Sequence, residues 1–492
     1  MSDPPPSGRV TGFSVLTGNM PFLGGRRIAT EHGERYTQWL TDQYSGTGGT
    51  DYVGYFLLRA TNLLARRGTV GFIATDAISD GDNRRTTLAR LLSAEGGFEL
   101  YRAQDGLPWP GNAAVLIAVL HLARGGVATE ARAKLLNGRR VPGINSRLQA
   151  GPERPEPVAL AANDGCAFVG CFLRGDGFVL SPEEGEALLR KNPSEARVVR
   201  KFLVGDDLNN RPDQTPSRYV VSFEDMSLEE ARQFPAAFAI VDERVRPQRE
   251  RLKSTGADAD HKKHWWRFAN TRRELREKLA TTQRVIATAR VSKHVLFSFA
   301  SADWVPSEQV VVFPFDSLSL FGVLQSRVHG IWVRLTAGAR GEGVRYSASE
   351  CFDGFPFPEP SPLAMLPEVE RATSALCEAR SRYLSDNRVG LTESYNRLFD
   401  PKCIDEAIVA LRRLHEDLDR AVLGAYRWAD LGVPAFGEAE SHFEGSVIDR
   451  LFGLNAERGG ARPAAASGGP KVKKARPRKE LLRKKAAGSD GD

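Results

Sequence analysis

Between Phe13 and about Arg124, short β-rich runs alternate with helical stretches, and this alternation constrains the fold more than any other feature of the 492-residue chain. FSVLTG reads as a strand, DYVGYFLLRATNLLARR as an amphipathic helix, TVGFIAT as a strand and NRRTTLARLLSAEG as a second helix. FELYRA and AAVLIAVLHLA read as two further strands. Strands separated by helices of this length predict an α/β unit with a parallel, doubly wound sheet. VLIAVL is continuously apolar, as a strand covered on both faces should be.

The rest of the chain is organised differently, and at this length several structural units are expected. VPGINSRLQAGPERPEP reads as a connector. Residues 172–358 mix short strands, turns and polar helices without a repeat. After FPFPEPSPL, the stretches LPEVERATSALCEARSRYL and CIDEAIVALRRLHEDLDRAVLGAY carry apolar residues at helical spacing. The expected units are 1–125 (α/β sheet), 126–171 (connector), 172–358 (mixed α/β), 359–458 (helical) and 459–492, an Ala/Gly/Pro/Lys-rich tail with too few apolar residues to fold alone.

Charge and cysteine content exclude several classes. Residues 461–492 hold ten Lys/Arg and three acids, so the remaining 58 basic and 58 acidic residues cancel and any nucleic-acid surface on the body must be a local patch. No apolar run is long enough to cross a bilayer, and MSDPPPSGRV lacks the order of a secretory signal, which makes the cytoplasm the expected compartment. Five scattered cysteines argue against a disulfide framework, and Cys166 with Cys171 lack a second ligand pair, so no metal is expected.

In an open α/β sheet, ligands bind beyond the carboxyl ends of the strands. The first strand ends in SVLTGNMPFLGG. The Asn19 side chain offers an acceptor and a donor, the Met20 carbonyl offers a second acceptor, Pro21 stiffens the turn and Phe22 offers an aromatic face. Together they suit a planar group bearing an exocyclic amine, as chemistry on an extruded base requires. An Asn-x-Pro segment after a strand is also an ordinary turn.

GNMPFLGGRR, with DYVGYFLLRATNLLARRGTVGFIATDAISDGDNRR and a Val/Ile/Leu-rich strand beyond it, resembles the catalytic half of amino-type DNA methyltransferases, which carry an Asn-Pro-Pro-Phe/Tyr signature at a strand end of a Rossmann-like sheet. The resemblance is to the adenine-N6 enzymes of type IIL restriction-modification systems (the MmeI group) and their relatives in BREX and DISARM phage defence. RPQRERLK, HWWRFANTRRELREKL, RVIATARVSKH, FGVLQSRVHGIW, VRYSASECFDGFPFP and RLHEDLDRAVLGAYRWADLGV resemble the target-recognition and C-terminal segments of that group, so the likeness runs from about residue 11 to 432.

The resemblance implies that Asn19 accepts a hydrogen bond from the adenine N6 amine, that the Met20 carbonyl takes the other amine hydrogen, and that Phe22 stacks on the flipped base. Met20 stands where the family has its first proline; the backbone acceptor survives, but the restriction that proline places on Asn19 is lost. Family members carry a glycine-rich cofactor turn well before this site, whereas only 18 residues precede Asn19 here. GARGEG at 338–343 and RGDGF at 174–178 are the downstream alternatives, and neither comes after a clear strand and opens a helix. The expectation is therefore a partial Rossmann-like methyltransferase sheet lacking its S-adenosylmethionine-binding half, with an unpaired apolar edge that a separate polypeptide fills. The group's nuclease is not visible either, so cleavage is not expected.

Residues 262–294 interleave basic and aromatic side chains, a pattern that suits double-stranded DNA. Arg267, Arg272, Arg290 and Lys293 are candidate DNA contacts, with Gln325, Arg327 and Arg345 added from the next segments of the chain; Trp265 and Trp266 read as core. KVKKARPRKELLRKK in the tail either adds phosphate affinity or is solvated. Two readings are open: a site-specific adenine-N6 DNA methyltransferase portion that needs a separate cofactor-binding chain, or a non-catalytic DNA-recognition subunit or inactive truncated remnant.

Overall fold

The computed structural model describes residues 12–110, 115–124, 133–340, 343–436 and 441–460. The basic tail and the first 11 residues lie outside these. Six strands, β1 (Phe13–Asn19), β2 (Leu64–Thr75), β3 (Phe98–Pro108), β4 (Leu116–Arg124), β5 (Lys134–Leu136) and β6 (Arg139–Val141), form one sheet in the order β1-β2-β4-β3-β5-β6. β1 and β2 are parallel and connected through helices α1 (Gly25–His32), α2 (Glu34–Tyr44) and α3 (Tyr52–Asn62).

The sheet is mixed rather than wholly parallel, because β4 runs antiparallel to both β2 and β3. β3 ends at Pro108 and β4 starts at Leu116, too short a separation for the crossover that a parallel pair needs. LARR also leaves the expected helix: α3 stops at Asn62, and Leu64 pairs with Phe13 at the start of β2. Val70, Phe72, Ala74, Leu120 and Leu122 are buried in the core shared with the helices, but Thr69, Gly71, Ile73 and Thr75 on the other face are only half-buried. Cover on both faces, expected from the apolar runs, is therefore incomplete. β1 is an edge strand among the described residues, with Phe13 54% and Val15 61% exposed.

The segment expected to be a plain connector supplies β5 and β6 and then a brace. Arg84, only 2% exposed, donates to Ser146 Oγ at 2.8 Å and faces the carboxylates of Glu153 and Glu156. Arg147 reaches the Leu335 carbonyl at 3.3 Å, and Arg154 pairs with Asp449 at 3.0 Å. Asn455 accepts from the Val158 amide and donates to the Val158 and Gly354 carbonyls. A buried charge is stable only when paired and hydrogen-bonded, so these partners fix the path of the segment.

The middle of the chain contains two four-stranded sheets, one centred on Val199–Leu203 and Arg218–Val221 and the other on Arg284–Ala289 and Val310–Phe313. A three-stranded sheet adds Val291–Ser292, Gly343–Arg345 and Gly338–Arg340. Gly338 and Gly343 of GARGEG thus lie in two paired antiparallel strands, and RGDGF forms a short turn; neither pairing nor turn joins a strand to a helix as a cofactor turn would. Helices Leu318–Gln325 and Arg327–Thr336 pack against the long helices Pro367–Asn387 and Glu406–Ala425. Phe297, Trp332, Phe355, Leu376, Leu418 and Phe452 belong to one core that crosses the expected boundary at 358/359. Gly322 permits the approach: a Cβ there would stand 2.1 Å from Thr373 Oγ1 and 2.6 Å from Val369.

That core buries two histidines, His329 against Tyr346 Oη at 3.1 Å and His415 against Tyr395 Oη at 2.9 Å. Burial pushes both down to about 3, aided at His415 by the positive Arg380 and Arg327. Below the ordinary histidine value of about 6.5, the unfolded chain takes up protons that the folded chain refuses, so stability falls as pH drops from about 6.5 toward 3. Asp353, pushed up to about 6 by burial and then by Asp164, works in the opposite sense over the upper part of that window. With His121, His261 and His294 also held down by burial, five histidines stand against two raised carboxyls, Asp353 and Asp76, so Tm is expected to fall between pH 6.5 and 4.5 and to fall less steeply in His329→Gln. Calorimetric scans at several pH values check this; an unchanged slope in the variant would contradict it.

Candidate base grip and DNA-reading cleft

The Asn19–Phe22 loop is held from behind by its own helices. The Gly25 amide at the start of α1 donates to the Asp51 carboxylate at 2.9 Å, and the Asp51 amide donates to Asn83 Oδ1. The Tyr52 amide donates to the Leu23 carbonyl at 2.9 Å. Gly25 has to be glycine, since a Cβ there would lie 2.6 Å from the Thr50 carbonyl. Met20 packs on the sheet core, Asn19 is exposed at the end of β1, and Phe22 is 37% exposed.

An aromatic side chain absent from the sequence-based site stands opposite. The register of β3 on β4 shifts between Gln104 and Leu107, where Gly106 has a φ of 64°. Such a bulge bends the strand and re-aims the residues beyond it. The Gly106 amide donates to Asp76 Oδ1 at 3.2 Å, tying the bulge to the end of β2. Burial raises the Asp76 carboxyl above its ordinary range and Asp105 adds to this, while the Gly106 amide pulls it down. Trp109, just past β3, meets Phe22 edge-on, with ring centroids 5.9 Å apart and planes at 80°. LPWPGN was the available signal: an aromatic between two prolines beyond a strand.

The seven candidate DNA contacts separate into three groups. Arg290, Lys293 and Arg345 line one cleft of about 850 Å³. Lys293 and Arg345 are exposed, whereas Arg290 is half-buried and donates to the Glu308 carbonyl at 2.9 Å. Arg267 and Arg272 are half-buried and spend their Nε donors on the Met226 and Gly170 carbonyls at 2.8 and 3.0 Å. Trp266 is buried with its indole on the Met226 carbonyl, and Trp265 packs on the same core, in agreement with the core reading.

Gln325 and Arg327 require a correction, because both are turned inward. Gln325 Oε1 accepts from the Phe297 amide at 3.0 Å and from Arg380 at 3.2 Å. Arg327 donates to both Asp419 oxygens, from its backbone amide at 2.8 Å and from Nε at 2.5 Å, and its Nη2 donates to the Pro434 carbonyl. At 6% and 9% exposure they fasten the shared core and offer little surface to a ligand.

The fold, a mixed α/β sheet followed by smaller sheets and a helical region, has known counterparts. Residues 169–359 match the MmeI target recognition domain model. DNA methyltransferase A of Bacillus subtilis (strain 168) is 24% identical over 428 residues, covering 83% of this chain and 45% of the relative. The type IIL restriction-modification enzyme MmeI, solved in complex with DNA, has a TM-score of 0.68 at 20% identity, covering 91% of this chain and 57% of MmeI. The chain thus spans about half the length of the relatives it matches. Among the described residues no helix is long and apolar enough to cross a membrane.

Proposed function

We propose that this chain grips the target adenine and reads the surrounding sequence for a site-specific N6-adenine DNA methyltransferase of the restriction-modification or phage-defence type. The observation that carries the reading is the pairing of Phe22 with Trp109 beside Asn19 at the strand ends, in a chain that also carries an MmeI-type recognition domain. Asn19 Oδ1 and the Met20 carbonyl accept the two N6 hydrogens of an extruded adenine. Phe22 and Trp109 supply two aromatic walls at right angles, one for the face of the base and one for its edge. Accepting both amine hydrogens in a site closed to water makes N6 a better nucleophile and fixes its direction.

The described residues of this chain do not make a cradle for S-adenosylmethionine. Gly24 and Gly25 come after β1, but the space at Gly25 is filled by the Gly49–Thr50 backbone, and the other strand ends carry Asp76 and Trp109. The cofactor is therefore assigned to a partner polypeptide whose half-sheet pairs along β1. The exposure of Phe13 and Val15 on that edge supports this, since an open apolar edge strand is a template for another strand.

The test mixes the full chain with the polypeptide encoded immediately upstream, duplex DNA and methyl-labelled S-adenosylmethionine. Labelled N6-methyladenine is expected from the mixture and from neither chain alone. DNA bound without methyl transfer would sink the catalytic part and leave a recognition subunit; absence of both would sink the whole reading.

A further inference from the structure

The cleft containing Lys293 and Arg345 is not a simple phosphate trough. It also holds Asn209, from the helix Gly205–Asn210, and Glu308 and Gln309, from the turn before the strand Val310–Phe313. A surface that only neutralises phosphates needs cations, whereas base edges present donors and acceptors together. The side chains of Asn209 and Gln309 make no hydrogen bond among the described residues. Asn210 next door is committed instead, donating to Asp206 at 2.6 Å.

The turn that carries Gln309 is held in place. The Arg290 amide donates to the Gln309 carbonyl at 2.8 Å, its guanidinium donates to the Glu308 carbonyl, and the Gln309 amide donates to Ser307 Oγ at 3.2 Å. A Cβ on Gly205 would lie 3.4 Å from the Gln309 carbonyl, so the helix bearing Asn209 rests against the same turn. Two uncommitted amides are thus mounted on one support in the cleft that Lys293 and Arg345 also line.

We infer that Asn209 and Gln309 are specificity-determining residues, each reading one adenine through its N6 and N7 edge, with Arg290 positioning the Gln309 turn and Lys293 holding backbone phosphate. An amide presents one acceptor and one donor at the spacing that the adenine edge requires, and no other base edge in the major groove matches it. This inference rests on the DNA-recognition reading proposed above.

The experiment selects bound duplexes from a random library with the full wild-type chain, Asn209→Ala, Gln309→Ala and Gln309→Glu, and sequences them. Each alanine variant is expected to lose roughly tenfold preference for adenine at one position, a different position for each, while the other positions persist. Gln309→Glu is expected to exchange adenine for cytosine at its position, since a carboxylate accepts from cytosine N4. A structural role would produce no such exchange. An unchanged motif in the variants, or a uniform weakening at all positions, overturns the inference while leaving DNA recognition standing. A wild-type chain that enriches no motif overturns both.

Discussion

Asn19→Ala is expected to lower methyl transfer by the reconstituted enzyme about 10²–10³-fold, the usual cost of removing one oriented hydrogen-bonding group from a reacting centre. Affinity for the recognition sequence should hold, because Asn19 lies at the end of β1 and contributes nothing to the cleft that holds Arg345. Phe22→Ala and Trp109→Ala should each weaken capture of the extruded base, about 1–3 kcal/mol per lost stacking contact. A duplex carrying 2-aminopurine at the target reports this directly, since its fluorescence rises on extrusion. Full transfer by Asn19→Ala would remove this loop from the active site, and unchanged fluorescence with Trp109→Ala would reduce the Phe22 pairing to packing.

Arg327→Ala should be among the most destabilising single changes in the chain, at about 3–5 kcal/mol, because it removes the guanidinium that pairs with the buried Asp419 carboxylate. Asp419→Ala is expected to cost a similar amount, since it strands the guanidinium and removes the acceptor of the Arg327 amide. Urea titration measures both. A DNA-contacting arginine would give the opposite pattern: near-normal stability with weakened binding and a shallower salt dependence. That outcome would restore Arg327 to the DNA surface.

That Asn19 and Phe22 stand at and just past a strand end was legible in the sequence, because the apolar run before them carries that signal. Trp109 was not, since its position depends on the Gly106 bulge and the register of β3 on β4, which are tertiary facts. Gln325 and Arg327 misled for a compositional reason. Polar residues after a basic, aromatic stretch suggested a surface, yet Gln325 ends a helix that is apolar on nearly all sides, and Arg327 opens an amphipathic helix on the face it shares with Val328, Ile331 and Leu335, which is buried. Helix-and-strand alternation located the first sheet but could not give the direction of β4, which the short separation from β3 decides. Lys293 and Arg345 were identified singly; that they share a cleft with Asn209 depends on a fold that brings together residues more than eighty positions apart.

The brace around Arg84 has a metrical consequence. With Ser146, Glu153 and Glu156 holding it on one side, and Arg147 and Arg154 reaching Leu335 and Asp449 on the other, the first sheet unit is tied to the helices that carry Leu335 and Asp449. On the function proposed above, such a tie would act as a caliper on the double helix: protein geometry would set the number of base pairs between the methylated adenine and the bases being read. Exchanging side chains in the cleft would then change which letters are read and leave the offset as it was, whereas loosening the Arg84 cluster would blur the offset and leave the letters unchanged.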